Sequence, residues 1–163
     1  MRKLERTDTQ SRPGLCSMTS ERLWEIKRRR RQHMILIFGG AFQGKLDYAK
    51  ETYGLSDGEI FDCAENDGSY WPSVDLNARA LNHFDRFVLA CVREGIEAKE
   101  YLVSNVDALS DKIILADDVT QGVVPMNRDE RAWREEVGRC LVYLGKHAEH
   151  VIRVYCGIPQ VVK

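Results

Sequence analysis

No apolar run in this chain approaches the roughly 20 residues that a bilayer-spanning helix needs, so no membrane span is expected. No C-x-x-C pair occurs, and the five cysteines (Cys16, Cys63, Cys91, Cys140, Cys156) are scattered and odd in number. That argues against a zinc site and against a disulfide framework, and leaves free thiols, buried or half-buried, in a reducing compartment. Met1-Arg2-Lys3 is not followed by the apolar stretch of a secretory leader, so the cytoplasm is the expected location. Internal repeats are lacking too. What remains is an ordinary globular composition, 44% apolar and 30% charged over 163 residues, enough for one domain with a sizeable core.

The net charge of -1 conceals an asymmetry. Residues 1–33 hold ten of the 24 Lys/Arg and four of the 25 Asp/Glu, which leaves fourteen basic against twenty-one acidic groups in the rest. A basic tail on an acidic domain can contact nucleic acid or anionic lipid. A solvated, disordered extension accounts for it more simply, because Ser11-Arg12-Pro13-Gly14 and its polar neighbours offer nothing to pack. The folded domain is therefore expected over residues 34–163, and nucleic acid is not an expected partner.

Met34-Ile35-Leu36-Ile37-Phe38 suits a strand buried on both faces of a parallel sheet. Lys45 to Tyr53 reads as a helix stopped by Gly54. Glu59 to Cys63 reads as a second strand, and residues 64–73 as loop. A helix is expected from Asp75 or Asn77 to about Glu94, with Leu81, Phe84, Val88, Leu89 and Val92 at helical spacing. Lys112 to Ala116 is another apolar strand. Asn127 and Glu130 have capping-box spacing, opening a long helix whose outer face offers the pairs Glu130–Arg134, Arg131–Glu135 and Glu135–Arg139. Val151 to Cys156 is the last strand. Strands alternating with helices, and lacking polar alternation, predict an α/β domain with a mostly parallel sheet.

Gly39-Gly40-Ala41-Phe42-Gln43-Gly44-Lys45 has the spacing G-x-x-x-x-G-K between the first strand and a helix. Such a loop turns backbone N–H groups toward phosphate oxygens at the positive end of a helix, and the lysine adds a charge. Gly39, Gly40, Ala41, Phe42, Gln43, Gly44, Lys45 and Leu46 are thus the expected nucleotide-binding residues, with Lys45 at the terminal phosphates. Leu46 stands where a hydroxyl would hold Mg²⁺. Asp117 and Asp118 close the strand that ends at Ala116, and Asp118 is the residue expected to hold Mg²⁺ or its water shell and to join Lys45 in catalysis.

Other polar groups carry duller readings. Arg128, Arg131, Arg134 and Arg139 read as a salt-bridged solvated face. His83 reads as a structural histidine on an apolar helix, near Asn82 and Asp85. His147 and His150 have no third ligand nearby, and the dipole of a helix end accounts for them.

The segments Ile35–Lys45, Asp118-Val119-Thr120-Gln121-Gly122-Val123-Val124-Pro125 and Gly157-Ile158-Pro159-Gln160-Val161-Val162-Lys163 together resemble the adenosylcobinamide kinase / adenosylcobinamide-phosphate guanylyltransferases of cobalamin biosynthesis. The Gly138-Arg139 step in the long helix adds to the match. The resemblance covers residues 34–53 and 110–163, and residues 77–95 loosely. It implies a phosphate-loop domain of the RecA-like group, small homo-oligomers, and GTP or ATP as substrate with Mg²⁺. The implied chemistry is phosphoryl transfer to the aminopropanol hydroxyl of adenosylcobinamide, then GMP transfer from GTP to the phosphate formed. The chain departs from the pattern at three places. Leu46 replaces a hydroxyl residue, Asn82 falls where the family has Asp, and residues 54–76 lack the histidine that carries GMP. Phosphoryl transfer is thus better supported than guanylyl transfer. The alternative is a degenerate paralogue that binds nucleotide or corrinoid without turnover.

Overall fold

The computed structural model describes residues 34–64, 72, 74–123 and 125–163. The extension expected at residues 1–33, with Cys16, lies outside them, as do most of residues 64–73.

The fold is α/β and RecA-like, a mostly parallel six-stranded sheet flanked by helices. Strand β1 is Ile35–Gly39, β2 Ile60–Asp62, β3 Ala80–Asn82, β4 Ile113–Asp117, β5 His150–Tyr155 and β6 Ile158–Val161. Their order across the sheet is β2-β3-β4-β1-β5-β6. The first five run parallel, and β6 returns antiparallel along β5.

Alternation along β1 explains its continuous apolar sequence. Successive side chains point to opposite faces, so Met34 and Leu36 enter one core while Ile35 and Ile37 enter the other. Helix α1 (Lys45–Tyr53) covers the second face, where Ala49 and Leu55 meet Ile37, Leu115 and Val154. The first face takes α2 (Phe84–Arg93), α3 (Ala98–Ser104), α4 (Val106–Leu109) and α5 (Arg128–His147). There Phe87 packs between Phe84 and Tyr101, ring centroids 5.3 and 5.0 Å away. Both phenylalanines are fully buried.

Three expectations change. The helix expected from Asp75 or Asn77 to Glu94 is a turn, a strand and then a helix. Asp75 caps the turn through the Asn77 N–H (2.8 Å), and Ala80-Leu81-Asn82 lies in the sheet between β2 and β4. A three-residue strand buried on both faces has no period of its own, so its apolar residues merged with those of α2. His83, at φ 50°, makes the break. Strand β6 and helices α3 and α4 were not anticipated, and Pro159 sits in β6 as an edge strand permits. On α5, the pair Glu135–Arg139 forms, whereas Arg131 and Arg134 turn to a neighbouring loop. Asn127 caps α5 by accepting the Asp129 N–H (2.8 Å). At the far end, Lys163 Nζ donates to the carbonyls of Gly145, Lys146 and Ala148, satisfying groups that the helix leaves bare.

Cys63, Cys91 and Cys140 are buried free thiols and Cys156 is an exposed one. Burial pushes the Cys140 thiol up to about 12 and Cys91 to about 11.

Candidate functional site

Chain direction builds the site. Parallel strands bring their C-terminal ends to one edge of the sheet, where open α/β sheets bind ligands. Gly39 on β1 is level with Asp117 on β4, and Asp62 on β2 with Asn82 on β3. A cleft of about 690 Å³ opens over these ends. Ala41 to Asp47 line one side, with Ala64, Asn82, His83, Arg86 and Asp117 completing it.

Between β1 and α1 the loop turns tightly. Gly39 has to be glycine, since a Cβ there would lie 2.2 Å from the Val154 carbonyl oxygen of β5. Gly44 adopts φ 82°, a left-handed conformation that side chains resist. Phe42 also has positive φ and is fully exposed. Gln43 ties the loop to the β5–β6 turn: its Oε1 accepts the Cys156 N–H (2.6 Å), and its carbonyl accepts the Gly157 N–H (3.0 Å). Among the described residues, no backbone carbonyl takes the amides of Gly40 through Gly44. Those donors stand at the N-terminus of α1, which is the arrangement that binds anions.

Lys45 is buried. Its Nζ donates to the Gly40 carbonyl (2.7 Å) and pairs with Asp117 Oδ1 (2.6 Å). Asp117 is held from behind, since its N–H donates to Asp85 Oδ1 (3.0 Å). Asp85 is wholly buried, and its Oδ2 has no hydrogen bond, with Arg86 Nε 3.5 Å away. Burial holds the Asp85 carboxyl above its usual range, against the Asp117 N–H, which lowers it. Helix α5 fixes this corner through Trp133, whose Nε1 donates to the Asp85 carbonyl (2.7 Å) and whose ring lies under Arg86.

Asp118 is placed differently. Its Oδ1 accepts from the Thr120 hydroxyl and N–H, and it is not among the residues lining the cleft. Leu46 lines the cleft while its side chain packs against the second core. The segment after Asp118 is held by Arg134, which donates to the Thr120 carbonyl (2.7 Å), and by Arg131, which donates to that of Met126 (2.6 Å).

Sequence reasoning passed over Asp62, and it put His83 on a helix face. The structure places both at strand ends, with His83 Nδ1 2.8 Å from Asp62 Oδ1. Asn82 Nδ2 donates to Asp62 Oδ2 (2.7 Å). The signal available was a polar pair directly after the short apolar steps Ile60-Phe61 and Ala80-Leu81, which is where strand-end chemistry sits. Among the described residues, no three His, Cys, Asp or Glu side chains cluster as a metal cage, and no helix is long and apolar enough to cross a membrane.

No curated protein sequence matches the chain. The family profile described as cobinamide kinase / cobinamide phosphate guanyltransferase matches residues 76–162, more than half of the chain and wholly beyond the phosphate loop. The loop geometry and the matched segment thus point the same way independently, and the chain belongs to the cobinamide kinase / cobinamide phosphate guanyltransferase family, nucleotide-using transferases of cobalamin biosynthesis.

Proposed function

We propose that this chain transfers the terminal phosphoryl group of ATP or GTP to a hydroxyl of adenosylcobinamide, in the cytoplasm. One observation carries this: Lys45 and a row of unbonded loop amides converge at the start of α1, opposite Asp117. In-line phosphoryl transfer asks a protein mainly for positioning and charge neutralisation. The amides of Gly40 to Gly44 would hold the phosphates, and Lys45 would exchange Asp117 for the terminal oxygens. Guanylyl transfer is left out of the proposal, because residues 54–76 hold no histidine to carry the nucleotide.

Mg²⁺ binds nucleotide sites through one or two carboxylates and the phosphates, keeping several waters. The donors here suit that mode. Asp117 faces the cleft and is the carboxylate we assign to the metal, with Asp118, the residue expected from sequence, one position on. Leu46 offers no oxygen. Bound with the nucleotide, the ion would neutralise charge gathering between the β- and γ-phosphates.

The rival is a nucleotide- or corrinoid-binding paralogue without turnover, and Leu46 is the observation that favours it. Calorimetry with ATP and GTP, beside an assay of cobinamide phosphorylation, separates the two. The proposal expects binding by the parent protein, at least about tenfold weaker binding by Lys45→Ala (about 1.4 kcal/mol), and phosphorylated cobinamide. Binding without product leaves the rival. Equal, negligible binding by parent and variant removes the proposal and the nucleotide-binding form of the rival.

A further inference from the structure

We infer that His83, oriented by Asp62, is the general base that takes the proton from the acceptor hydroxyl. This rests on the phosphoryl-transfer proposal above and adds a catalytic residue to it.

The geometry has three parts. The first is the tautomer. His83 Nδ1 lies 2.8 and 3.0 Å from the two Asp62 oxygens. A carboxylate only accepts hydrogen bonds, and Asn82 Nδ2, 3.0 Å from Nδ1, already donates to Asp62 at 2.7 Å, so Nδ1 carries the proton and the neutral ring presents its lone pair at Nε2. Among the described residues nothing bonds Nε2. The second part is rigidity. Asp62 is pinned by the Ala64 N–H (2.8 Å) and by Asn82 Nδ2 (2.7 Å). His83 itself sits at φ 50° between β3 and α2, a conformation that fixes where its ring begins. The third part is place. His83 lines the same cleft as the phosphate loop, and its side chain is 41% exposed against 17% for Asp62. A partly buried carboxylate behind a more exposed imidazole is the order that orients a base toward a substrate.

The step balances. The hydroxyl oxygen attacks the γ-phosphorus as its proton passes to His83 Nε2. The bond from that phosphorus to the bridging β-phosphate oxygen breaks, and nucleoside diphosphate leaves. The imidazolium, stabilised by Asp62, later gives its proton to water. The charged groups around His83 are Asp62 from β2, Asp85 and Arg86 from α2, Asp117 from β4 and Lys45 from α1. The Asp62 hydrogen bond holds the imidazole above its ordinary value; burial opposes this, and the Asp62, Asp117 and Asp85 charges add to it. The active, neutral form therefore gains as pH rises.

The test is the pH dependence of kcat for cobinamide phosphorylation by the full chain, with ATP binding measured in parallel. His83→Gln and His83→Asn, the second being at home at positive φ, should bind ATP like the parent. They should lose roughly 10²- to 10⁴-fold in kcat together with the acid limb of the profile. Asp62→Asn should keep ATP binding, lower kcat, and move that limb to lower pH. Variants that turn over within about threefold of the parent and keep its pH profile would overturn the inference. So would phosphate or nucleotide found covalently attached to His83. A parent protein that binds ATP and makes no product removes the phosphoryl-transfer proposal, and this inference goes with it.

Discussion

Gly39 and Asp117 stand level on adjoining strands, and each is defined by a close neighbour: a Cβ added to Gly39 would meet an atom at 2.2 Å, and Asp117 Oδ1 meets one at 2.6 Å. For Gly39 it is the Val154 carbonyl, so Gly39→Ala must push β5 away from β1. Overpacking of this kind costs about 1–3 kcal/mol or more, and urea unfolding should show it as a lower midpoint with unchanged slope. For Asp117 it is the Lys45 ammonium. Asp117→Asn should lower the rate of cobinamide phosphorylation well beyond Asp118→Asn, if the metal-facing carboxylate is the one in the cleft. A larger loss in Asp118→Asn than in Asp117→Asn would return the role to Asp118. The sequence pattern points to Asp118 without a physical ground for preferring it to its neighbour. Side chains on a strand alternate, and only the register Gly39↔Asp117 shows which of the two faces the loop lysine.

Among the elements, α5 serves the site without entering it. Trp133 steadies the Asp85 corner, and Arg131 and Arg134 donate to carbonyls of the segment from Thr120 to Met126. Arg134→Ala should leave global stability within about 1 kcal/mol, as expected for an exposed side chain, yet speed amide exchange in residues 118–123. Unchanged exchange there would mean that the arginine is ornamental. How much of each element was legible follows from its length and its contacts. Strand β1, its loop and α1 could be read because a continuous apolar run meets a glycine spacing that few other structures need. β3 could not, being three residues long and adjoining an apolar helix. β6 was hidden because it is exposed along its length and contains a proline, so nothing but pairing with β5 makes it a strand. Periodicity also misassigned Arg131 and Arg134 of α5, though not Arg139, which pairs with Glu135. Spacing of four residues offered acidic partners, while the fold supplied backbone carbonyls that no local pattern reveals.

Over the whole molecule, the His83–Asp62 pair ties stability to pH. The hydrogen bond to Asp62 and its charge raise His83 against burial, and that contribution is complete below the ordinary histidine value of 6.5 and lost as pH rises through the folded one. For Asp62, burial pushes the carboxyl up, but the His83, Ala64 and Asn82 hydrogen bonds together win, and the net shift is down. Its contribution is present above 3.8 and lost as pH falls through the folded value. The pair therefore stabilises most between those two ordinary values. Thermal unfolding of His83→Gln should differ most from the parent near pH 5 and converge toward it in mild alkali. A constant difference across the range would show that the pair contributes packing alone.

The Lys45–Asp117 contact has one more consequence. The lysine already holds an anion of the protein's own, so a triphosphate gains only the difference between two carboxylate-like embraces, and the measured Kd reports a swap of partners. Without Mg²⁺, neutralising Asp117 would then tighten nucleotide capture, while with the metal turnover would slow, two effects of opposite sign from a single side chain.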